Sequence, residues 1–429
     1  MKGAQISSAE LFSETALLLN KNFKRVAPAH LINGFLSASV GASLLSNKVR
    51  RLICDTAQEE REGGLSPSEG LRASLHVALN PDRRAWSELG SLVPLGAPLI
   101  NRGPSDDGLG GEVWALLSQR DPSLREALAE LMRLPERPDD PLDALTVELL
   151  GLLATEREQG APPEGLTLKL TLSSASAGEA LLDSLVRATH VALSGGDRGR
   201  SRADRVKALT ATVSLAAWFM IVRRPLLLGS ARYVRWGELP PMFFYAGLPP
   251  GDLSSSAVKL SAASFEALCV HYERTLMSEL EGRPELVTSD EEPQYEAVFR
   301  ALYPVGRFAS GFRVLGRQVG VAGPDRSGRP RFILETSALG LIIDATVARG
   351  ERLAFEDWVD RAYERLGLLL AFGRETDVSG LLRGLMPEGV IYEALCENHA
   401  ALRRRLLRAG LATEYSDGEL EVHQREGAL

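Results

Sequence analysis

Helical spacing of apolar residues dominates this chain, and period-two alternation is confined to a few short stretches. The first ~90 residues read as helices. "SSAELFSETALLL" opens with Ser7 and Glu10 at capping-box spacing, where each side chain can satisfy an orphan amide of the first turn. Residues 29–54 carry Leu31, Phe35 and Leu36, then Val40, Leu44 and Leu45, an apolar stripe at helical spacing. Residues 86–112 are rich in Gly, Pro and Ser and predict a loop or boundary. Two helices follow with explicit starts. Asp121-Pro122 and Asp140-Pro141 each set an N-cap before a proline suited to the first helical position, and Gly160 stops the second helix. The short Pro-rich link between them predicts an antiparallel pair.

"GLTLKLTLSS" is the clearest strand: Leu166, Leu168, Leu170 and Leu172 alternate with Thr167, Lys169, Thr171 and Ser173. Helices are expected over about 178–194, 208–222 and 262–280. The 208–222 run is apolar and uncharged but has only 15 residues, short of the ~20 that span a bilayer. It reads as a buried core helix, with no membrane partner expected. The N-terminus carries no basic-then-apolar signal pattern.

From residue 333 the order of elements becomes specific. A helix ("LETSALGLIIDATVARG") leads to an extended stretch ("ERLAF"), a second helix ("EDWVDRAYERLGLLLAF"), a link, a third helix over about 397–409, and a hairpin turning at Asp417-Gly418. In the third helix Leu402, Leu406 and Ala409 form the inward face, with Leu395 earlier on it, and Gly410 is the stop. Leu411, Thr413 and Tyr415 alternate on one hairpin strand, Leu420 and Val422 on the other. This order and the "AGL…SDG…V" spacing resemble the winged-helix superfamily over roughly the last hundred residues. The resemblance implies a recognition helix with Asn398 and His399 toward the major groove and Arg403, Arg404 and Arg408 on phosphates.

Charge changes that picture. Residues 333–429 hold 11 Arg, no Lys and 17 Asp plus Glu, a balance of −6, and the hairpin itself bears Glu414, Asp417, Glu419 and Glu421. DNA affinity rests mainly on phosphate neutralisation, so an acidic wing is repelled. A winged-helix fold used for protein docking fits the charge better, since fold does not fix function. The whole chain, at 429 residues and net charge −7, concentrates its positive charge elsewhere. Residues 187–235 hold ten Lys plus Arg against Asp197 and Asp204, a balance of +8. The candidate phosphate contacts there are Arg198, Arg200, Arg202, Arg205, Lys207, Arg223, Arg224, Arg232 and Arg235, with Tyr233 and Trp236 available for base stacking. Residues 300–331 hold seven Arg against Asp325, and Arg313 and Arg317 join the candidate set. The competing reading is a solvated arginine loop, or arginines paired with the acidic 281–293 or 104–165 regions or with a partner chain.

No catalytic motif is found. "GGDRG" lacks the Lys-Ser/Thr of a phosphate loop, and no G-x-G-x-x-G after a strand, G-x-S-x-G or H-E-x-x-H occurs. Cys269-x-His271 and Cys396-x-x-His399 have zinc-like spacing, but positions i and i+2 of a helix do not face one another. Asp139, Asp140 and Asp143 are adjacent, but capping accounts for Asp140. No cofactor and no metal are expected. Cys54, Cys269 and Cys396 are far apart, which fits a reducing cytoplasm rather than a disulfide framework.

The expected architecture is mainly α with minor β, a multidomain helical protein with a C-terminal winged-helix-like domain. Its segments are an N-terminal helical region (1–103), a helical domain with one strand at 165–174 and a basic loop (104–280), an acidic linker (281–293), a basic connecting segment (294–332) and the winged-helix-like domain (333–429). The function expected is that of a non-enzymatic, nucleic-acid-associated adaptor in a cytoplasmic DNA-processing or phage-defence complex. Its partners are nucleic acid, DNA favoured, and other proteins of the complex. The alternatives are a sequence-specific regulator reading DNA through 397–409, and a purely protein-binding scaffold.

Overall fold

Short polar side chains set where the helices begin, and apolar stripes decide which faces they bury. The computed structural model describes residues 28–40, 109–132, 176–194, 201–227, 235–247, 254–281, 307–323 and 329–424. The capping box at Ser7, the helix after Asp140, the strand at 165–174, residues 195–200 of the basic loop and residues 282–293 of the acidic linker lie outside the described residues. The described chain is mainly helical. In order it forms α1 (Pro28–Val40), α2 (Leu109–Arg120), α3 (Leu124–Met132), α4 (Ser176–Ser194), α5 (Arg202–Val222) and a single turn α6 (Arg224–Leu227). Strand β1 (Met242–Phe243), α7 (Ser256–Glu281), α8 (Arg307–Gln318), β2 (Ala322–Gly323), β3 (Arg331–Phe332) and α9 (Thr336–Thr346) follow. The chain continues with β4 (Arg352–Ala354), α10 (Phe355–Leu366), β5 (Leu368–Leu369), α11 (Val378–Leu382), α12 (Glu388–Ala409), β6 (Ala412–Glu414) and β7 (Leu420–His423).

The described residues fall into two compact units. One contains those within Arg25–Leu170 and Ala188–Ala217. Here α1 packs on α2, burying Leu31, Ile32, Phe35 and Leu36 against Val113, Trp114 and Leu117. Phe35 meets Trp114 edge-on at 5.5 Å, a geometry that adds about 1 kcal/mol beyond area burial. Residues 109–112, expected in a loop, are the first turn of α2. The buried stripe of Leu109, Val113, Leu116 and Leu117 outweighs the weak helix propensity of Gly110 and Gly111. α3 begins where Asp121 accepts a hydrogen bond from the Ser123 amide at 2.9 Å. His190 sits 2.6 Å from the other carboxylate oxygen, and the His190 and Ser123 hydrogen bonds hold the Asp121 carboxyl below its ordinary value. At the start of α5, the Ser201 hydroxyl donates to the Asp204 carboxylate at 3.0 Å and accepts from the Asp204 amide at 3.1 Å.

Along α5, Asp204–Val222 is long and apolar enough to cross a membrane, with a mean hydropathy of 1.4, yet 78% of it is buried inside the protein. Its apolar surface is used on protein neighbours, as expected for a core helix.

The other unit contains residues within Thr171–Arg187 and Trp218–Ala428. Described residues of 218–332 and of 333–424 fall in this same compact unit. Its centre is aromatic. Trp218 lies edge-on to Phe219, Phe244 and Phe332, with centroids 5.3, 6.2 and 6.1 Å away. Its indole N–H donates to the Phe312 carbonyl at 3.1 Å. Around it run very short strands. β1 pairs parallel with β5, and β2 pairs antiparallel with β3. Tyr245 joins the two pairs: its amide donates to Phe332 O and its carbonyl accepts from Leu334 N.

The C-terminal elements arrange as helix, strand, helix, then α11, α12 and a hairpin. β4, β7 and β6 form an antiparallel sheet in that order. The second helix, read in the sequence through Phe372, ends at Leu366 because Gly367 adopts φ 67°, the left-handed region. Leu368 and Leu369 then become strand β5. The third helix starts at Glu388, earlier than the 397 read from the sequence, and stops at Gly410 with φ 65°. The hairpin turns at Asp417-Gly418, where Gly418 has φ 84°. Between α10 and α11, Asp360 accepts the amides of Arg374, Glu375 and Thr376 at 2.7, 2.8 and 2.9 Å. Burial opposes its charged form, but these hydrogen bonds prevail and hold the carboxyl below its ordinary value.

Two helical glycines predict opposite outcomes. A Cβ at Gly316 lies 2.7 Å from the Ala322 Cβ and 2.8 Å from the Trp218 indole nitrogen, whereas one at Gly340 meets nothing within 4 Å. Gly316→Ala is expected to lose about 1–3 kcal/mol in urea unfolding through overpacking. Gly340→Ala is expected to gain about 0.5–1 kcal/mol through helix propensity.

Candidate anion-binding cleft

The long helix α12 is fixed from its inner face by polar side chains as well as apolar ones. Leu395 and Leu402 are fully buried, and Asn398, three residues after one and four before the other, lies between them at 0% exposure. Its amide nitrogen donates to Phe244 O at 2.7 Å and to Leu370 O at 2.5 Å. Its amide oxygen accepts from Ala246 N at 2.7 Å. One side chain thus completes the edges of two strands, each too short to find a strand partner there. Seven residues on, Arg405 repeats the device, donating to Leu334 O and, at 3.0 Å, to Gly247 O. Burial lowers the Arg405 guanidinium from its ordinary value.

Neighbouring positions are committed too. Arg403 donates to Gly418 O at 2.7 Å and to Glu414 at 3.1 Å, binding the hairpin to α12, and its guanidinium lies 5.9 Å from the Phe355 ring centroid. His399 is half-buried, its ring edge-on to Phe355 at 4.8 Å, and its Nδ1 has no hydrogen-bond partner. Burial, aided by Arg403 and opposed by Glu356, lowers its pKa. Of the α12 arginines, Arg404 and Arg408 are exposed, and neither has a carboxylate partner among the described residues.

These two arginines line a cleft of about 550 Å³. Ala400, Ala401 and Ala409 form a small apolar part of its lining, and Arg405 lines it too. Its far wall is the 245–247 segment with the hydroxyls of Ser255 and Thr336. Among the described residues, Glu397 is the one acid in the lining. It is engaged, accepting from the Ser255 hydroxyl at 2.6 Å and from the Ala257 amide at 3.0 Å at the start of α7. Among the described residues, three arginines against one engaged glutamate give the lining a positive balance within an otherwise acidic C-terminal segment.

The structure distributes the sequence-derived candidates differently from expectation. Asn398, expected toward the major groove, is a buried structural amide and cannot reach a base. Arg223, expected on phosphate, is 1% exposed. It donates to Gly367 O at 3.3 Å and Pro240 O at 3.5 Å and stacks over Trp236 at 5.3 Å. Burial lowers its pKa to about 10, so it stays charged but is unavailable to ligand. Arg205 is half-buried and donates to Leu193 O at 2.7 Å. Arg202 and Arg313 are half-buried, while Lys207, Arg235 and Arg317 are exposed. Arg198, Arg200 and Arg232, and the side chain of Arg224, lie outside the described residues. Arg202, Arg205 and Lys207 belong to one unit, and Arg223, Arg235, Arg313 and Arg317 to the other. Sequence reasoning missed Arg405, Thr336, Ser255 and Tyr245. Arg405 carried a signal, standing seven residues after Asn398 and three after Leu402 on the inner stripe.

Among the described residues no group of three or more His, Cys, Asp or Glu is placed to hold a metal ion. Comparison with protein-family models, with curated proteins and with solved structures finds no match for this chain.

Asn398→Ala would leave Phe244 O, Leu370 O and the Ala246 amide buried without partners, at about 1–3 kcal/mol for each group that water does not rescue. The expected result is a loss of about 3 kcal/mol or more in urea unfolding. A side chain reading bases would instead leave stability within about 0.5 kcal/mol and affect binding alone.

Proposed function

We propose that this chain is a non-enzymatic, nucleic-acid-associated binding protein, an adaptor within a cytoplasmic assembly, and that Arg404 and Arg408 of α12 are its principal phosphate contacts in the C-terminal segment. The observation that carries this reading is the division of labour on α12. Asn398, Arg403 and Arg405 are spent on the protein's own backbone and hairpin. Arg404 and Arg408, one turn apart, are exposed on the wall of a cleft. Unspent guanidinium groups on a rigid helix are suited to charge-assisted hydrogen bonds with phosphate.

The order α9, β4, α10, α12, β6, β7 and the strand order β4-β7-β6 support a winged-helix form for this segment. The hairpin plays a different part from a nucleic-acid wing. Glu414 is engaged by Arg403, Asp417 accepts the Glu419 amide, and Glu421 accepts from the Tyr415 hydroxyl. Its acidic outer surface favours a protein partner over a phosphate backbone. Arg235 and Arg317, exposed in the same unit, add further positive charge for the polyanion.

Anisotropy titrations with labelled duplex and single-stranded DNA test this reading. The double variant Arg404→Glu, Arg408→Glu is expected to weaken binding at least about tenfold and to reduce the slope of log K against log salt by about two. A wild-type chain with no salt-sensitive affinity for DNA or RNA at low ionic strength would overturn the proposal.

A further inference from the structure

A helix face that only tracks a phosphate backbone needs no depth, yet Arg404 and Arg408 stand over a cavity. We propose that the cleft is a phosphomonoester pocket: it receives a terminal or free phosphate group between Arg404, Arg408 and the first turn of α9. The proposal rests on the reading of those arginines as phosphate contacts and adds the shape of the ligand.

The volume of about 550 Å³ lies in the range of small-ligand sites and is sufficient for one nucleotide. The depth has a clear origin in the sequence. Ala400, Ala401 and Ala409 replace side chains that would fill the space between α12 and the 245–247 segment. Two helix starts reach the cleft, and they differ. The start of α7 is already satisfied: the Ser255 hydroxyl accepts from Val258 N at 3.3 Å, and Glu397 accepts from Ala257 N. The start of α9 is not: Glu335 at its N-cap makes no side-chain cap, and Thr336 lines the cleft. A helix start without a side-chain cap and two guanidinium groups, lining one cleft, both favour an anion. The Thr336 hydroxyl supplies a further donor, and the alanine side chains carry no acceptor to repel it.

The site is also rigid. Arg405 ties Leu334 and Gly247 to α12, so the walls are held before any ligand arrives. A phosphomonoester carries close to two negative charges near neutral pH, whereas a backbone phosphodiester carries one. Two guanidinium groups lining one cleft therefore favour the monoester, which is found either at a polynucleotide end or on a free nucleotide.

The experiment uses the full chain and four probes: a 5′-phosphorylated oligonucleotide, its 5′-hydroxyl counterpart, adenosine monophosphate and adenosine. Binding is compared for the wild type and for Thr336→Glu. That substitution sits at an exposed first-turn position, where an acid suits the helix, so the melting temperature is expected to stay unchanged while phosphate is repelled. A preference of at least tenfold for the 5′-phosphorylated oligonucleotide, lost in Thr336→Glu, supports the pocket with a chain end as its source. Adenosine monophosphate binding that adenosine does not share, lost in the same variant, supports it with a free phosphate as its source. Equal binding of the two oligonucleotides with no monophosphate binding overturns the inference. In that last case, salt-sensitive DNA binding that Arg404→Glu, Arg408→Glu abolishes would still leave the backbone-contact reading standing.

Discussion

The amide of Asn398 is the interaction on which this structure turns. Strands β1, β2, β3 and β5 are each two residues long, too short to satisfy one another. Beyond Leu369 and Phe243 the chains separate, and a buried carbonyl or amide left there would cost as much as several ordinary contacts return. Asn398 fills the gap as a surrogate peptide group, donating to Phe244 and Leu370 and accepting from Ala246. Helix α7 does the same from its side: Ser264 accepts the Phe243 amide at 2.9 Å, and Ser261 donates to Phe332 O. The small sheet is thus held by side chains from two helices more than by strand pairing.

That arrangement explains why α12 can have two faces with different roles. Its inner polar residues, Asn398 and Arg405, lock it to the segments around 244–247, 334 and 370. The outer row, including Arg404 and Arg408, is then presented on a support that does not need to order itself on binding. The cleft follows from the same geometry, since Arg405 holds its walls together while the alanines of its lining leave space.

Much of the fold was legible in the sequence. Helix periodicity placed α1, α4, α5 and α7, and glycine chemistry placed the end of α12 and the turn at Asp417-Gly418. Elements held by distant contacts were not. Leu368–Leu369 follow a helix in an unbroken apolar run, and only the pairing with β1 across the chain makes them a strand. The 109–112 turn hides behind its glycines because α1 supplies the stabilisation. At the cleft, charge counting pointed to the basic middle stretches and correctly identified the hairpin as acidic. It did not distinguish a buried arginine such as Arg223 from an exposed one such as Arg408. Asn398 stood in plain view between Leu395 and Leu402 on the inner stripe, but its polarity suggested a base reader. Burial of a polar side chain depends on backbone groups that sequence spacing does not reveal.

Native-state hydrogen exchange at the Ala246 amide tests the central claim most directly. Ala246 lies just beyond the end of a two-residue strand, where an amide without a firm acceptor exchanges through small local openings. With the Asn398 oxygen as its acceptor, it is predicted to exchange only through global unfolding, with a free energy equal to that of the most protected core amides. Exchange at the rate of an open loop would contradict the account.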